Sequence, residues 1–485
     1  MRTNSMPSST SLSRTDIRRI ALVVASLLGV IALATVAQVS VTVIAGLVAV
    51  PLVIGGVAVM MKRPELLMPA AFASMWFEGV GAGQLRLGRV VAVVIFIMPF
   101  ALAATTSWRP PALQPRAWFA SLVVVGWVWF SGIWSISFGY WLTGFLQYFL
   151  GWAFMVGCLL FVESYEQTLK LFKLWLWVGV PVAVLSDVAY FLVAPTVREG
   201  EEVRVYGFSG SANNFALYLV VAVAMSVAIS RQCTGRERLY FRLMVPLFVT
   251  ALATSGSRAG LLGLGLLGFY VLATLEGLSV RRRVMTFVGG TVAMMAIGLV
   301  AIIINPRLNP LAAISTGGSG RTDILTIGLA AAKDHWLFGL GAGNFKWVAV
   351  DYAHTTTGAS LDELRSVSRT LNPDIHSLYV SLVADTGVIG LIAYLTMLAM
   401  VMKNNWDLRK SEWKNLSWAI TGSYIVLLAF ALQSPVGNQK MQWTIAGIVG
   451  GVYVRRRRRP SNFRVAEAPP APMAIGPDDH ESVSA

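Results

Sequence analysis

The chain has 485 residues, 56% of them hydrophobic and only 13% charged, with a mean hydropathy of +0.65 and a formal net charge of +15. Soluble domains carry about 25% charged residues, so a soluble globular fold is excluded. The positive balance would fit a nucleic-acid partner if the cations formed one surface, but they are parcelled into loops between apolar runs.

Those runs have the length that crosses a hydrocarbon core, and without a barrel-like alternation the backbone inside them can bond only to itself, as helix. In chain order they fall near 18–38, 41–61, 66–80, 88–106, 117–136, 140–162, 170–194, 213–230, 239–254, 259–276, 284–304, 376–402, 415–433 and 440–454. The third is short and the last weak, so the expectation is an all-α, polytopic transmembrane bundle of twelve to fourteen spans. The organisation expected is a cytoplasmic tail (1–17), a helical bundle (18–304), one large external loop (305–375), further membrane helices (376–454) and a basic, then disordered, tail (455–485). The first run is followed at once by others and reads as a span rather than a cleaved signal.

With these spans, 27 of the 39 basic residues lie on one side, including Lys62, Arg63, Arg231, Arg281 to Arg283, Lys410 and Arg455 to Arg459. The positive-inside rule makes that side cytoplasmic, with both termini on it, and the arginine run reads as an anchor on an anionic membrane surface. Arg86 and Arg89, beside the doubtful third span, fall on the other side. Cys158 lies in a span and Cys233 in a basic loop, so neither a disulfide framework nor a Cys/His metal cluster is expected.

The outer side is polar in three places: a loop near 195–212 continuing into Asn213 and Asn214, the turn Thr254-Ser255-Gly256-Ser257-Arg258, and the segment from Asn305 to Ile375. Loops longer than about 15 residues are commonly functional or disordered. The amphipathic stretches in this one, with Trp336, Phe338, Phe345 and Trp347, predict that it folds onto the membrane surface. Arg258, between Gly256 and Gly260, reads either as an interfacial arginine snorkelling to headgroups or as a site residue where glycines admit a helix or a ligand. Arg321 follows Gly317-Gly318-Ser319-Gly320 and reads either as a surface partner of Asp323 or as a fork for phosphate oxygens. His376, where the loop re-enters the membrane, is either a helix-start histidine bonded to a carbonyl or a base near neutral pH. His335 and His354 read as ordinary loop histidines. Asp385, nine residues on from His376, reads as a structural partner of a polar cavity, with Asp187 and Glu78 weaker candidates of the same kind.

Taken together these segments resemble the O-antigen polymerase and ligase superfamily (Wzy-type polymerases and WaaL-type ligases). Thr254 to Gly260 resembles its T-x-SR-x-G mouth motif, and Gly320-Arg321-Thr322-Asp323-Ile324-Leu325 its R-x₃-L element. Phe338 to Phe345 resembles the G-x-G-x-x-x-F run, with Trp336 where many members have proline. His376-Ser377 followed by Gly387 and Gly390 is similar to H-[NS]-x₉-G-x-x-G, and Arg204 to Gly207 with Asn213 and Asn214 to an upstream R-x-x-G…N segment. The resemblance implies a GT-C-like, metal-independent, cofactor-free inverting glycosyltransferase. It would pass a polyprenyl-diphosphate-linked glycan to a hydroxyl of a glycan or lipid-core acceptor, on the outer face of the cytoplasmic membrane. Arg258 and Arg321 would hold the diphosphate, Arg204 would assist or hold glycan, His376 would be the base, and loop aromatics could stack on sugars. Membrane lipids and other polysaccharide-assembly proteins are the further partners expected, and nucleic acid is not. Polymerase is slightly preferred. Ligase and protein O-oligosaccharyltransferase remain open on the same scaffold, and a polysaccharide transporter or flippase remains from a different class.

Overall fold

The computed structural model describes residues 55–56, 58–82, 85–105, 115–193, 204–274, 279–309, 321–357, 374–434 and 440–458. The expected span at 18–38, most of that at 41–61, the N-terminal tail, the tail beyond residue 458 and the glycine run 317–320 lie outside these residues; residues 455–458, expected in the tail, continue the last helix. Apart from turns and one hairpin of two two-residue strands, the described chain is helical. A short 3-10 turn leads into α1 (Leu67–Met75), and β1 (Gly81–Ala82) pairs antiparallel with β2 (Leu85–Arg86). Then come α2 (Leu87–Thr105), α3 (Pro115–Phe130), α4 (Phe138–Phe161), α5 (Tyr165–Val193), α6 (Ala212–Ser230), α7 (Gly235–Thr254), α8 (Arg258–Ala273) and α9 (Val280–Ile304). Two shorter helices, α10 (Arg321–Asp334) and α11 (Phe345–Thr357), precede α12 (Leu378–Leu408), α13 (Lys414–Ala431) and α14 (Lys440–Arg458).

Six of these (α2, α4, α5, α6, α9 and α12) are long and apolar enough to cross a membrane, and Trp118–Trp134 and Arg258–Ala273 are shorter apolar helices. The polytopic helical membrane architecture is therefore borne out. The doubtful third run is a nine-residue helix, about 13 Å long at 1.5 Å per residue. It is held in the core by Phe72 against Phe172 and by Trp76, which stacks on Trp175 and donates its indole N–H to the Trp175 carbonyl at 2.8 Å.

At the centre stands α6, buried nearly all round and packed by α7, α8 and α13. Its opposite is α9, just as apolar but almost wholly exposed on the outside of the bundle. Because the long helices alternate in direction, one end of the bundle gathers the 77–88 hairpin region, the α3–α4 turn, the loop before α6, the α7–α8 turn and the start of α12. The Gly79 amide donates to the Phe208 carbonyl at 2.7 Å, tying hairpin to loop, and the Asn305 side chain reaches the Thr254 carbonyl at 3.4 Å. The described half of the long loop, α10 and α11, folds onto α12 over its own small apolar cluster of Ile327, Ala331, Leu340, Phe345, Val348 and Ile375.

Candidate functional site

The turn between α7 and α8 is built so that one side chain projects. Thr254 is anchored by its hydroxyl to Asp187 of α5 at 2.8 Å, and Ser255 bonds back to the Leu252 carbonyl. Gly256 supplies the left-handed residue (φ 62°) that reverses the chain. Ser257 caps α8 by accepting from the Gly260 amide at 3.2 Å. Gly260 admits a neighbouring helix, since a Cβ there would lie 2.8 Å from the Ala216 Cβ. What remains is Arg258, half-buried at the first helical position. A cation at the positive end of a helix is opposed by the macrodipole, whereas an anion there is favoured.

Arg204 comes to the same place from the loop before α6. Its guanidinium donates to Asn213 Oδ1 at 3.3 Å, and the Ser257 hydroxyl donates to that same oxygen at 2.9 Å. One asparagine at the head of α6 thus couples the Arg204 loop to the Arg258 turn. Burial lowers the Arg204 pKa from its ordinary value, Tyr206 opposes this, and the Arg258 guanidinium lowers it further. The Arg204 Nε is buried without a hydrogen-bond partner. Two half-buried guanidiniums therefore repel each other at a helix N-terminus, an arrangement that a multiply charged anion would relieve.

The other two predicted residues also stand at helix starts. Arg321 opens α10, its side chain lying outside the described residues. His376 is half-buried immediately before Ser377, the N-cap of α12. Gly328, in the middle of α10, packs on Ile375 so closely that a Cβ would meet its Cδ1 at 2.9 Å, and Asp374 is paired with Lys346 at 2.7 Å. The residues leading into His376 are thus gripped by both loop helices, and Arg321 lies on one of them.

The glycine motifs have a different use. Gly387 breaks α12 with φ 71° and ψ 178°, and a Cβ there would fall 2.0 Å from the Leu337 carbonyl oxygen. The segment Trp336–Phe345 docks into that break. The Leu340 amide donates to the Ala384 carbonyl (2.8 Å), the Val388 amide to the Trp336 carbonyl (2.7 Å) and the Trp127 indole to the Thr386 carbonyl (2.8 Å). Backbone groups freed by a break at membrane depth must find such partners. Gly339, Gly341 and Gly343 all have positive φ, and Cβ atoms on them would strike Asp385, Ser135 and the Tyr140 carbonyl. The buried Asn344 completes the clasp, accepting from the Ser137 amide at 2.8 Å and donating to Ser135 Oγ at 2.7 Å. Asp385 accepts from the Phe345 amide at 3.0 Å, so it caps α11.

Of the loop aromatics, Phe345 is 3% exposed and is core. Phe338 stacks on Trp127 (6.1 Å) beside Trp134 (5.7 Å), with half its surface still open. Trp336 and Trp347 are exposed. A cavity of about 420 Å³ lies among Trp134, Ile136, His335 and Phe338. Sequence reasoning named Ser257 within its turn and Glu78 as a weaker candidate partner of a polar cavity, but not the bond from Ser257 to Asn213 or the Glu78–Lys440 ion pair (2.8 Å), whose partners lie 362 residues apart.

Residues 243–395 match the family model described as O-Antigen ligase, and no curated protein matches the chain. The matched stretch contains Arg258, the glycine clasp, Arg321 and His376, and it supports the O-antigen polymerase and ligase superfamily.

Proposed function

We propose that this chain is a membrane glycosyltransferase of the O-antigen polymerase and ligase type. In this reading it moves a glycan from a polyprenyl diphosphate to an acceptor hydroxyl at the outer face of the cytoplasmic membrane. The observation that carries the reading is the coupled pair Arg204 and Arg258 at the head of α8, inside and beside a stretch that matches an O-antigen ligase family. The family implies glycan transfer in a membrane, and the paired guanidiniums supply what a diphosphate leaving group needs.

The chemistry follows in one displacement. His376 takes the proton from the acceptor hydroxyl as its oxygen attacks the anomeric carbon. The bond from that carbon to the phosphate oxygen breaks, and its electron pair leaves with the diphosphate. Arg258 and Arg321, with Arg204 assisting, hold that growing charge, and such preorganised donors contribute about 10²–10³ in rate apiece. Attack opposite the leaving group inverts the anomeric configuration. No metal or cofactor takes part in this proposed sequence.

The test is complementation of a deletion strain with wild type, Arg258→Ala, Arg321→Ala and His376→Ala at matched membrane levels, reading surface glycan beside the lipid-linked pool. Loss of glycan with persistence of lipid-linked units supports the reading. In the deletion strain, lost long chains with single units still transferred means polymerase, and accumulated lipid-linked polymer means ligase. Alanine variants that behave like wild type overturn the assignment and favour a transporter or an assembly scaffold.

A further inference from the structure

The loop that carries Arg204 is clasped by the hairpin region before α2. Its described part, Arg204 to Ser211, meets the 77–88 segment at three points. The Phe77 and Phe208 rings lie 5.5 Å apart, the Gly79 amide donates to the Phe208 carbonyl at 2.7 Å, and a Cβ on Gly79 would fall 2.2 Å from the Gly210 amide nitrogen. Backbone lies directly on backbone there, with no side chain between to absorb a shift. Four residues before Phe208, Arg204 itself ties the loop to Asn213. A displacement of Gly79 is therefore passed to Arg204 through a short, gripped stretch of chain.

The hairpin cannot place itself. Its strands, Gly81–Ala82 and Leu85–Arg86, have two residues each, and an isolated two-stranded hairpin is at best marginally stable. What fixes it is the Glu78–Lys440 ion pair, which touches both of its ends. Glu78, directly before Gly79, accepts from the Lys440 ammonium at 2.8 Å on one oxygen and from the Tyr218 hydroxyl of α6 at 2.6 Å on the other. Gly88, just after the hairpin, leaves room for the same ammonium, since a Cβ there would lie 2.2 Å from Nζ. Lys440 is only 4% exposed and also sits 5.8 Å from the Phe154 ring of α4, so its charge depends on Glu78. A buried ion pair adds little stability over an apolar pair of similar volume, and what it can add is one fixed arrangement of the segments it joins.

We propose that Glu78 is a positioning residue for the candidate diphosphate site. Paired with Lys440 and Tyr218, its carboxylate sets the hairpin against α6 and α14, and the hairpin holds the loop that presents Arg204 beside Arg258. What Arg204 holds rests on the glycan-transfer reading, whereas how Arg204 is held does not.

The test uses the full chain in lipid nanodiscs with a nitroxide at position 206, introduced by Tyr206→Cys. Tyr206 is exposed on the loop, and both native cysteines are buried. Glu78→Gln should raise the mobility of this label, and Gly79→Ala should do the same without altering the ion-paired groups. A label introduced by Lys333→Cys, at an exposed position on α10, should not respond, because only general loosening would reach both. Binding of farnesyl diphosphate is then measured on unlabelled protein. Glu78→Gln should weaken it about tenfold, the scale of coupling within one network, and should weaken it little further in an Arg204→Ala background. Should Glu78→Gln fail to fold, Gly79→Ala carries both measurements. Unchanged mobility at 206, or an equal rise at 333, would overturn the proposal. So would normal diphosphate binding by Glu78→Gln, or losses from Glu78→Gln and Arg204→Ala that simply add. If wild type binds no diphosphate, the glycan-transfer reading fails, and the label at 206 alone decides whether Glu78 positions the loop.

Discussion

Two regions of the matched stretch carry sequence motifs, and the structure uses them in opposite ways. In the 336–345 clasp, glycines and Asn344 satisfy the backbone of the broken α12, and little polar capacity is left over. At the α7–α8 turn, Thr254, Ser255 and Ser257 are likewise consumed internally, but they present Arg258 toward Arg204 at a helix end that opposes positive charge. The motif glycines here build the scaffold, and an arginine set against the helix dipole marks where an anion is expected.

The comparison predicts that the two regions fail differently. The largest effect expected is on transfer by His376→Ala, a loss of about 10²–10⁴ from a missing general base, with thermal stability unchanged. Next, Arg258→Ala should lower transfer by about 10²–10³ and weaken donor binding, again in a folded protein. Gly387→Ala should act the other way, destabilising by at least about 1–3 kcal/mol from a conformation open essentially only to glycine. Its signature is a lower melting temperature and less folded protein in the membrane. Asn344→Ala should cost about 1–3 kcal/mol by leaving the Ser137 amide without its acceptor. Trp127→Phe should cost the least, about 1 kcal/mol for one indole hydrogen bond to the Thr386 carbonyl. A stable His376→Ala protein with normal transfer, or a Gly387→Ala protein with normal stability and selectively lost transfer, would break the division.

The helical membrane class was legible because apolar runs and loop charges report it directly. Which helix is central was not: α6 and α9 are both strongly apolar, yet one is buried and the other faces outward. Lipid and protein interior are equally apolar, so hydropathy cannot separate them. Arg258 was legible as a site candidate from its serine and glycine neighbours, but its coupling to Arg204 runs through Asn213, a pairing across separate loops. The G-x-G run and the Gly387–Gly390 pair were visible as patterns, while their docking into each other depends on register between segments some fifty residues apart. Glu78 was visible as an acid within an apolar stretch, but its partner Lys440, which brings α14 to the segment between α1 and α2, lies 362 residues away and left no local signal.

The most direct test of the central claim is a transfer assay with purified protein and a polyprenyl-diphosphate-linked glycan, measuring donor binding and product in parallel. The account predicts that His376→Ala binds donor like wild type but forms little product, and that Arg258→Ala is impaired in binding donor. Turnover by both variants within about twofold of wild type, well under one power of ten or 1.36 kcal/mol, would contradict it.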